Sequence, residues 1–221
     1  MEQLKALKND ANIAGMARFG INPSNTLGIS VTTLRKIARG LGKNHELASA
    51  LWESGIHEAR ILASLVDDPA SVTPAHMDAW VADFDSWDIC DQCCSNLFVR
   101  TVYAHQKAPE WCRSEHEFVR RAGFSLIAAL AVKDKKADDR EFEPFLECIV
   151  LASEDNRNFV KKAVNWALRQ IGKRNLNLNR KAVETARRIQ RSDSPAARWI
   201  AADALRELTG QAVQARLAAR Q

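Results

Sequence analysis

The chain has 221 residues, of which 46% are hydrophobic and 27% are charged, values typical of a globular protein. It contains no run approaching the roughly 20 apolar residues that a membrane-spanning helix requires. Its first ten residues, MEQLKALKND, do not resemble a secretory signal. We therefore expect a cytoplasmic protein whose five cysteines are reduced thiols. The formal net charge of +5 favours an anionic partner.

Helix signals recur along the whole chain, whereas strand signals do not. Apolar residues are spaced by three and four positions almost everywhere, and sustained alternation with hairpin turn signals is absent. Helix starts are predicted at Asn44, Thr73 and Ser194, the last two followed by proline, and a helix stop is predicted at Gly55. We expect about a dozen helices joined by short links. Together they are predicted to form a single domain over residues 1–221.

Three cysteines cluster in FDSWDICDQCC (84–94), at Cys90, Cys93 and Cys94. As a helix with about 100° between residues, this segment places all three thiols on its apolar side. There, cysteine behaves as a small hydrophobic residue. A structural zinc site would need a second CxxC or an HxxxH pair at a suitable spacing, which the sequence lacks. We therefore predict neither a metal site nor a cofactor.

The same segment contains two aspartates near a tryptophan. Trp87 lies at the margin of the apolar side, and Asp91 follows one turn later, at the border between the apolar and polar sides. Asp88 lies in the first turn, where a carboxylate complements the helix dipole, and we assign it that role. Asp91 is the stronger functional candidate, because a carboxylate beside an indole can be held ionised to face a developing positive charge.

Four segments share one pattern, in which a basic residue near the start is followed by alanines and then by a long apolar stripe. They are residues 57–69, 118–136, 159–175 and 194–210. The interval from Arg121 to Lys162 is 41 positions, and that from Lys162 to Arg198 is 36. Helix pairs repeated at about this period are typical of HEAT-type repeats, which stack into a curved α-α superhelix, or solenoid. We predict this all-α architecture, and the alternative is a non-repetitive helical bundle.

The third of these segments, FVKKAVNWALRQIGKRN, predicts a helix with a basic stripe opposite its core face. The stripe contains Lys162, Trp166, Arg169 and Lys173. The core face contains Val160, Val164, Ala167, Leu168 and Ile171. A tryptophan among three cations suits a groove that contacts a nucleic-acid backbone and a base. The alternative is an indole that lies on a neighbouring helix or beneath lysine side chains.

The segments FDSWDICDQ, FVRRAGFSLIAAL and FVKKAVNWALRQIGKRN, with GISVTTLRKIA nearer the start, resemble the DNA alkylation repair family with HEAT-like repeats, the AlkD type. The resemblance covers roughly Gly15 to Arg188, and segments 84–91 and 159–175 are its most specific parts. It implies a glycosylase that hydrolyses the N-glycosidic bond of cationic alkylated purines, chiefly N3-alkyladenine and N7-alkylguanine. It further implies action on double-stranded DNA without base flipping and without a metal. We expect a monomer associated with the bacterial nucleoid.

The resemblance assigns roles residue by residue. Its W-D-x-x-D pattern implies that Asp91 is the catalytic carboxylate and Trp87 an active-site tryptophan, and K-A-x-x-W-x-L-R implies that Trp166 is the second tryptophan. It also implies that Arg121 and Arg169 contact DNA, and the basic stripe adds Lys162 and Lys173 as predicted DNA contacts. Alkylation makes the base a cationic leaving group. One carboxylate that stabilises the oxocarbenium-like sugar, with indoles against the sugar and base, can therefore support the reaction.

The loop NPSNTLGIS (22–30) departs from the family pattern, because it lacks the aromatic residue that precedes the GI motif in the family's glycosylases. The only tyrosine, Tyr103, lies far away in the sequence. Two alternatives therefore stay open. One is a non-catalytic binder of bent or branched DNA, and the other is a HEAT-type scaffold whose tryptophans anchor another protein. Retention of both tryptophans, the carboxylate and the phosphate-binding arginine favours the glycosylase.

Overall fold

The computed structural model describes residues 1–219, which form helices connected by turns and loops. The α-helices, in chain order, are α1 (Glu2–Lys5), α2 (Asp10–Arg18), α3 (Val31–Leu41), α4 (His45–Glu53), α5 (His57–Val66), α6 (Pro74–Ala82), α7 (Trp87–Asn96), α8 (Ala104–Cys112), α9 (Glu117–Lys133), α10 (Glu143–Ala152), α11 (Asn158–Gly172), α12 (Leu176–Gln190), α13 (Pro195–Leu208) and α14 (Gln211–Ala218). Two short 3₁₀ helices, Phe98–Arg100 and Asp139–Glu141, follow α7 and α9. This part of the chain contains no strand, so the all-α prediction is confirmed.

Short polar residues set the helix boundaries, as predicted. The side chains of Asn44, Thr73 and Ser194 accept hydrogen bonds from backbone N–H groups in the first turns of α4, α6 and α13. These N–H groups have no partner inside the helix, so the caps stabilise the helix starts. After α4, Gly55 adopts a φ of 65°, in the left-handed region that glycine enters without strain.

The chain divides into two compact units, Met1–Tyr103 and Ala104–Gln221. In the first unit, α5 packs against α3, α4 and α7. In the second unit, α9 packs against α8 and α11, and α11 also packs against α12 and α13. The assignment of residues 1–221 to a single domain stays a prediction.

The four segments with a shared pattern are the helices α5, α9, α11 and α13. In the second unit, α11 packs against both α9 and α13, so three of the similar helices are neighbours in one row. The helices between them in sequence form a second row, because α10 packs against α8 and α12. Two rows of alternating helices are the arrangement expected of stacked helix pairs.

Small residues allow these helices to approach closely. A Cβ atom added to Gly123 of α9 would lie 2.5 Å from the backbone nitrogen of Cys112 in α8. The alanines of α9 are buried, as are the phenylalanines Phe124 and Phe142. At Gly123, α8 and α9 are therefore in close backbone contact. Among residues 1–219, no helix combines the length and apolar character that a membrane crossing requires.

Candidate functional site

The buried side of α7 contains the cysteine cluster, as predicted. Cys90, Cys93 and Cys94 have no exposed surface, and all five cysteines of the chain are thiols. Burial raises the pKa of the Cys93 and Cys94 thiols well above the usual value. Because the thiolate is the reactive and metal-binding form, Cys93 and Cys94 contribute to packing and not to chemistry.

The indole of Trp87, at the start of α7, is half-buried and fixed in orientation. Its Nε1–H donates a hydrogen bond of 3.0 Å to the backbone carbonyl of Phe19, the residue that ends α2. The side chain of Phe19 is highly exposed, at 74%. The hydrogen bond therefore holds the backbone of Phe19 next to Trp87. Phe19 was not predicted as a site residue, because it lies just before the loop 22–30 in which the family's aromatic residue is expected.

Asp88, the first aspartate of α7, is bound to a buried histidine. Its Oδ2 lies 2.8 Å from Nε2 of His57, and the exposed fractions of the two side chains are 13% and 2%. Burial lowers the pKa of His57, but the hydrogen bond and the charge of Asp88 outweigh that effect, so the pKa is raised. Asp88 lies in the first turn, as expected for a residue that complements the helix dipole. Its partnership with His57 was not predicted.

Asp91, the second aspartate, lies one turn after Trp87 on the same edge of α7. It is partly exposed, at the border between the buried cysteines and the solvent-facing side of the helix. The predicted arrangement of an indole and a carboxylate on one helix edge is thus present in the first unit.

The loop 22–30 is fixed by a buried carboxylate. Glu58 is fully buried, and its two oxygens accept hydrogen bonds of 2.6 to 3.2 Å from the backbone N–H groups of residues 27–29. Gly28 has a φ of 73°, and a Cβ there would lie 2.2 Å from the carbonyl oxygen of Asn9. Only glycine satisfies both the backbone conformation and this close approach. The backbone of the GI motif is therefore held in a fixed position beside α2.

A cleft of about 620 Å³ opens in the first unit, bounded by α2, the loop 22–30 and α7. Its apolar surface includes Met16, Phe19, Ile21, Ile29, Ile61 and Trp87. Its polar surface includes Asn12, His57, Asp88 and Gln92. Asp91 is not among the lining residues. A mainly apolar cleft with a few polar groups is typical of a small-molecule binding site.

The second unit contains the predicted basic stripe on α11. The core face is confirmed, since Val160, Val164, Ala167, Leu168 and Ile171 have no exposed surface. On the stripe, Lys162 is exposed, while Trp166, Arg169 and Lys173 are half-buried. With its amide oriented to satisfy its neighbours, Gln170 accepts hydrogen bonds from Trp166 Nε1 at 3.0 Å and from Lys173 Nζ at 3.2 Å.

Two cations of the stripe form ion pairs with α13. Glu207 lies 2.6 Å from Arg169 Nη1 and 2.7 Å from Lys173 Nζ, and Asp203 lies 3.5 Å from Arg169. Burial raises the pKa of Glu207, but Lys173 and Arg169 outweigh that effect and lower it. A phosphate that binds to either cation must therefore compete with the ionised carboxylate of Glu207, which was not predicted as a neighbour.

Arg121, the remaining predicted DNA contact, is buried on α9, with 6% of its surface exposed. Its Nη1–H donates a hydrogen bond of 2.6 Å to the backbone carbonyl of Phe159, next to the start of α11. This geometry offers little surface to a phosphate and instead ties α9 to α11. The expectation of a direct phosphate contact finds no support in this position, because the guanidinium is enclosed by protein.

The two halves of the predicted site lie in different units. Trp87 and Asp91 belong to the first unit, while Trp166 and Arg169 belong to the second. The convergence of these four side chains on one surface stays a prediction.

The profile of a protein family described as "DNA alkylation repair enzyme" matches residues 1–208. The chain is 28% identical over 193 residues to the uncharacterized protein Lin0241 of Listeria innocua, an alignment that covers 85% of this chain and 83% of that protein. It is 24% identical over 191 residues to the uncharacterized protein Lmo0209 of Listeria monocytogenes, with the same coverage of 85% and 83%.

A solved structure shows the fold. It is described as "a new family of proteins related to the HEAT-like repeat DNA glycosylases with affinity for branched DNA structures". It matches with a TM-score of 0.76 at 22% identity, over 90% of this chain and 90% of that one. The prediction of HEAT-like helical repeats is therefore confirmed. Since the family profile spans nearly the whole sequence, the chain belongs to the DNA alkylation repair enzyme family.

Proposed function

We propose that the protein binds double-stranded DNA and excises cationic alkylated purines by hydrolysing the N-glycosidic bond, with Asp91 as the catalytic carboxylate. The observation that supports this most strongly is the edge of α7, where Asp91 lies one turn from the oriented indole of Trp87. The neighbouring Asp88 is bound to the buried His57, and we assign it a structural role.

A cationic alkylated purine is already a good leaving group, so the reaction needs few catalytic groups. Departure of the purine leaves positive charge on the deoxyribose, and a carboxylate nearby stabilises that charge more in the transition state than in the ground state. The indole of Trp87 presents a π-face that attracts the same cationic groups. Because its N–H is held by the Phe19 carbonyl, the ring needs little reorganisation on binding.

Binding would depend mainly on the second unit. Lys162 is exposed on α11, and Arg169 and Lys173 lie along the same face, with Trp166 between them as a platform for a base or sugar. Glu207 neutralises part of this charge in the unbound protein. Phosphates would replace it as partners of the two cations, so binding energy would depend strongly on salt.

The direct test is to incubate the protein with duplex DNA treated with a methylating agent and to measure the free bases that are released. Release of N3-methyladenine or N7-methylguanine by the wild type, reduced by about 100-fold in Asp91→Asn, is the expected result. Asp193→Asn is the control, since it removes the same charge from an exposed turn. Equal release by the wild type and Asp91→Asn would refute the role of Asp91.

A second candidate is binding of branched DNA without catalysis. Two observations favour it, namely the loop 22–30 without an aromatic residue and the similarity to a protein described as having affinity for branched DNA structures. Binding to a four-way junction and to a linear duplex of equal length distinguishes the two candidates. A strong preference for the junction, with no release of bases from methylated DNA, would favour this second function.

A further inference from the structure

Two histidines and a buried aspartate converge in the first unit, away from the residues discussed above. His45 is the first residue of α4, Asp67 caps the end of α5, and His76 lies in the first turn of α6. One donor atom from each of the three side chains lies within 4.8 Å of the other two. His45 Nδ1 is 2.7 Å from Asp67 Oδ1, and His76 Nε2 is 3.5 Å from Asp67 Oδ2. The three ligand-type groups thus come from three different elements.

The contact between Asp67 and His76 is unsatisfied. The side chain of Asp67 has no exposed surface, and both its Oδ2 and the His76 Nε2 are buried without a hydrogen-bond partner. If Nε2 has no proton, two lone pairs face each other. If it has one, the 3.5 Å geometry still forms no hydrogen bond. A buried carboxylate oxygen without a partner is costly, so a cation between the two atoms would satisfy both.

The surrounding groups do not supply that cation. The ammonium of Lys43 donates to the backbone carbonyls of Leu65 and Asp67, at 3.0 and 2.7 Å, and so stabilises the end of α5. The ring of His76 packs against Trp80 with a centroid distance of 4.4 Å, which fixes the direction of Nε2. The carboxylate of Asp67 therefore faces the two imidazoles.

The donor set and its spacing fit a zinc ion. Zn²⁺ binds imidazole nitrogen at about 2.0–2.1 Å and carboxylate oxygen at about 2.0–2.2 Å, so tetrahedral donors lie about 3.4 Å apart. The 3.5 Å between Asp67 and His76 already matches this separation. His45 must move back slightly from 2.7 Å, and its side chain has room because it is 35% exposed. Because His45 is partly exposed, a water molecule can reach the fourth coordination position of the ion.

We propose that His45, Asp67 and His76 form a zinc-binding site that joins the start of α4, the end of α5 and the start of α6. The ion would replace the hydrogen bond between His45 and Asp67 and the unsatisfied contact between Asp67 and His76 with three metal–ligand bonds. Because it binds the folded arrangement of three elements, it would stabilise the first unit. The site is independent of the proposed function, since none of its ligands lines the cleft beside α7.

The test uses the full-length, untagged protein, stripped with a chelator and then titrated with Zn²⁺, with the metal content measured by mass spectrometry. One ion per chain is expected. Co²⁺ should give the visible spectrum of a four-coordinate ion, and it should quench the fluorescence of Trp80, which packs against His76. His45→Gln is the main variant because this partly exposed side chain can be changed with the least risk to folding.

Affinity should fall by more than about 100-fold in His45→Gln and His76→Gln, since even changes outside the ligand shell cost about 10- to 100-fold. His105→Gln is the matched control. His105 also lies beside two carboxylates, at 3.0 Å from Asp134 and 3.5 Å from Glu141. The affinity of the His105→Gln variant for Zn²⁺ should equal that of the wild type.

The melting temperature is a second measurement, and it shows whether a variant loses zinc binding or only loses stability. At a hundredfold excess of Zn²⁺ over the dissociation constant, the melting temperature of the wild type should rise by about 5–10 °C, and that of His45→Gln should not. The proposal is overturned if the wild type binds Zn²⁺ no more tightly than His45→Gln, or if His105→Gln weakens binding to the same extent.

Discussion

The helix that begins with Trp87 and the helix that contains Trp166 present their tryptophans in opposite surroundings. On α7, the indole is bound to a backbone carbonyl and lies beside an apolar cleft, with a carboxylate one turn away. On α11, the indole lies in a row of cations, two of which are paired with Glu207. The first environment can stabilise a positive charge, whereas the second can bind a negative one.

From this difference we expect a division of roles, in which the first unit acts on the rate of base release and the second unit acts on DNA binding. A change in α7 should affect the rate of base release more than DNA binding, because a carboxylate contributes to the transition state and repels a polyanion. A change in α11 should affect binding and its salt dependence more than the rate, because cations that contact phosphates act on substrate and transition state alike.

The largest effect is expected for Asp91→Asn. The single-turnover rate of base release should fall by about 100-fold or more, because neutralising the carboxylate removes stabilisation of the oxocarbenium-like sugar. The dissociation constant for duplex DNA should stay the same or decrease, since one negative charge is lost. Rates with the protein in excess over the DNA separate the two effects. A loss of binding equal to the loss of rate would contradict the division.

A smaller effect on the rate is expected for Trp87→Phe. This change keeps an aromatic face but removes the indole N–H that donates to the Phe19 carbonyl. One hydrogen bond contributes about 0.5–1.5 kcal/mol, so the rate should fall by up to about 10-fold through looser positioning. The double variant with Phe19→Ala tests whether the two rings act together. Strictly additive effects would mean that they act separately.

Binding should become tighter in Glu207→Gln. Arg169 and Lys173 would lose their shared carboxylate and become available to phosphates. Because partly exposed ion pairs contribute about 1 kcal/mol or less, affinity for duplex DNA should increase by up to about 5-fold. Glu184→Gln on the exposed surface of α12 is the control, and it should change the affinity for duplex DNA little.

The opposite effect is expected for Arg169→Ala, which should reduce the slope of log K against log salt by roughly one contact. Unchanged affinity in both variants would exclude this face of α11 from the interface.

The smallest effect is a pH dependence of stability in the first unit. The pKa of His57 is raised by its bond to Asp88, which outweighs burial. A raised folded-state pKa contributes stability that is fully present below the unfolded value of about 6.5 and is lost as the pH rises through the folded value. The melting temperature should therefore be a few degrees higher at about pH 5.5 than at about pH 8.5. Asp88→Asn should reduce this difference, and an unchanged difference would show that other groups cause it.

Local periodicity predicted the features that depend on one helix alone. The core face of α11 and the buried cysteines of α7 follow from a repeat of about 3.6 residues, and the caps at Asn44 and Thr73 follow from their side chains. These features need no knowledge of what packs against the helix. The same reasoning placed Trp166 away from the core, and the structure finds it half-buried there.

Partners that are distant in sequence could not be predicted. His57 and Asp88 are 31 residues apart, Arg169 and Glu207 are 38 apart, and Phe19 and Trp87 are 68 apart. Each of these contacts depends on which helices become neighbours in the fold. The spacing of residues along the sequence does not indicate which helices those are. The sequence likewise predicted no metal site, because the ligands proposed above do not follow any recognised ligand spacing.

The most direct test measures rate and affinity together for Asp91→Asn and Arg169→Ala on one duplex that contains a single N7-methylguanine. Asp91→Asn should release the base at least about 100-fold more slowly, with undiminished binding. Arg169→Ala should bind more weakly, with a lower salt slope, and should release the base at nearly the wild-type rate once the DNA is saturated. If Asp91→Asn released the base at the wild-type rate, or if the wild type released none while binding the duplex, the proposed catalytic role of α7 would be contradicted.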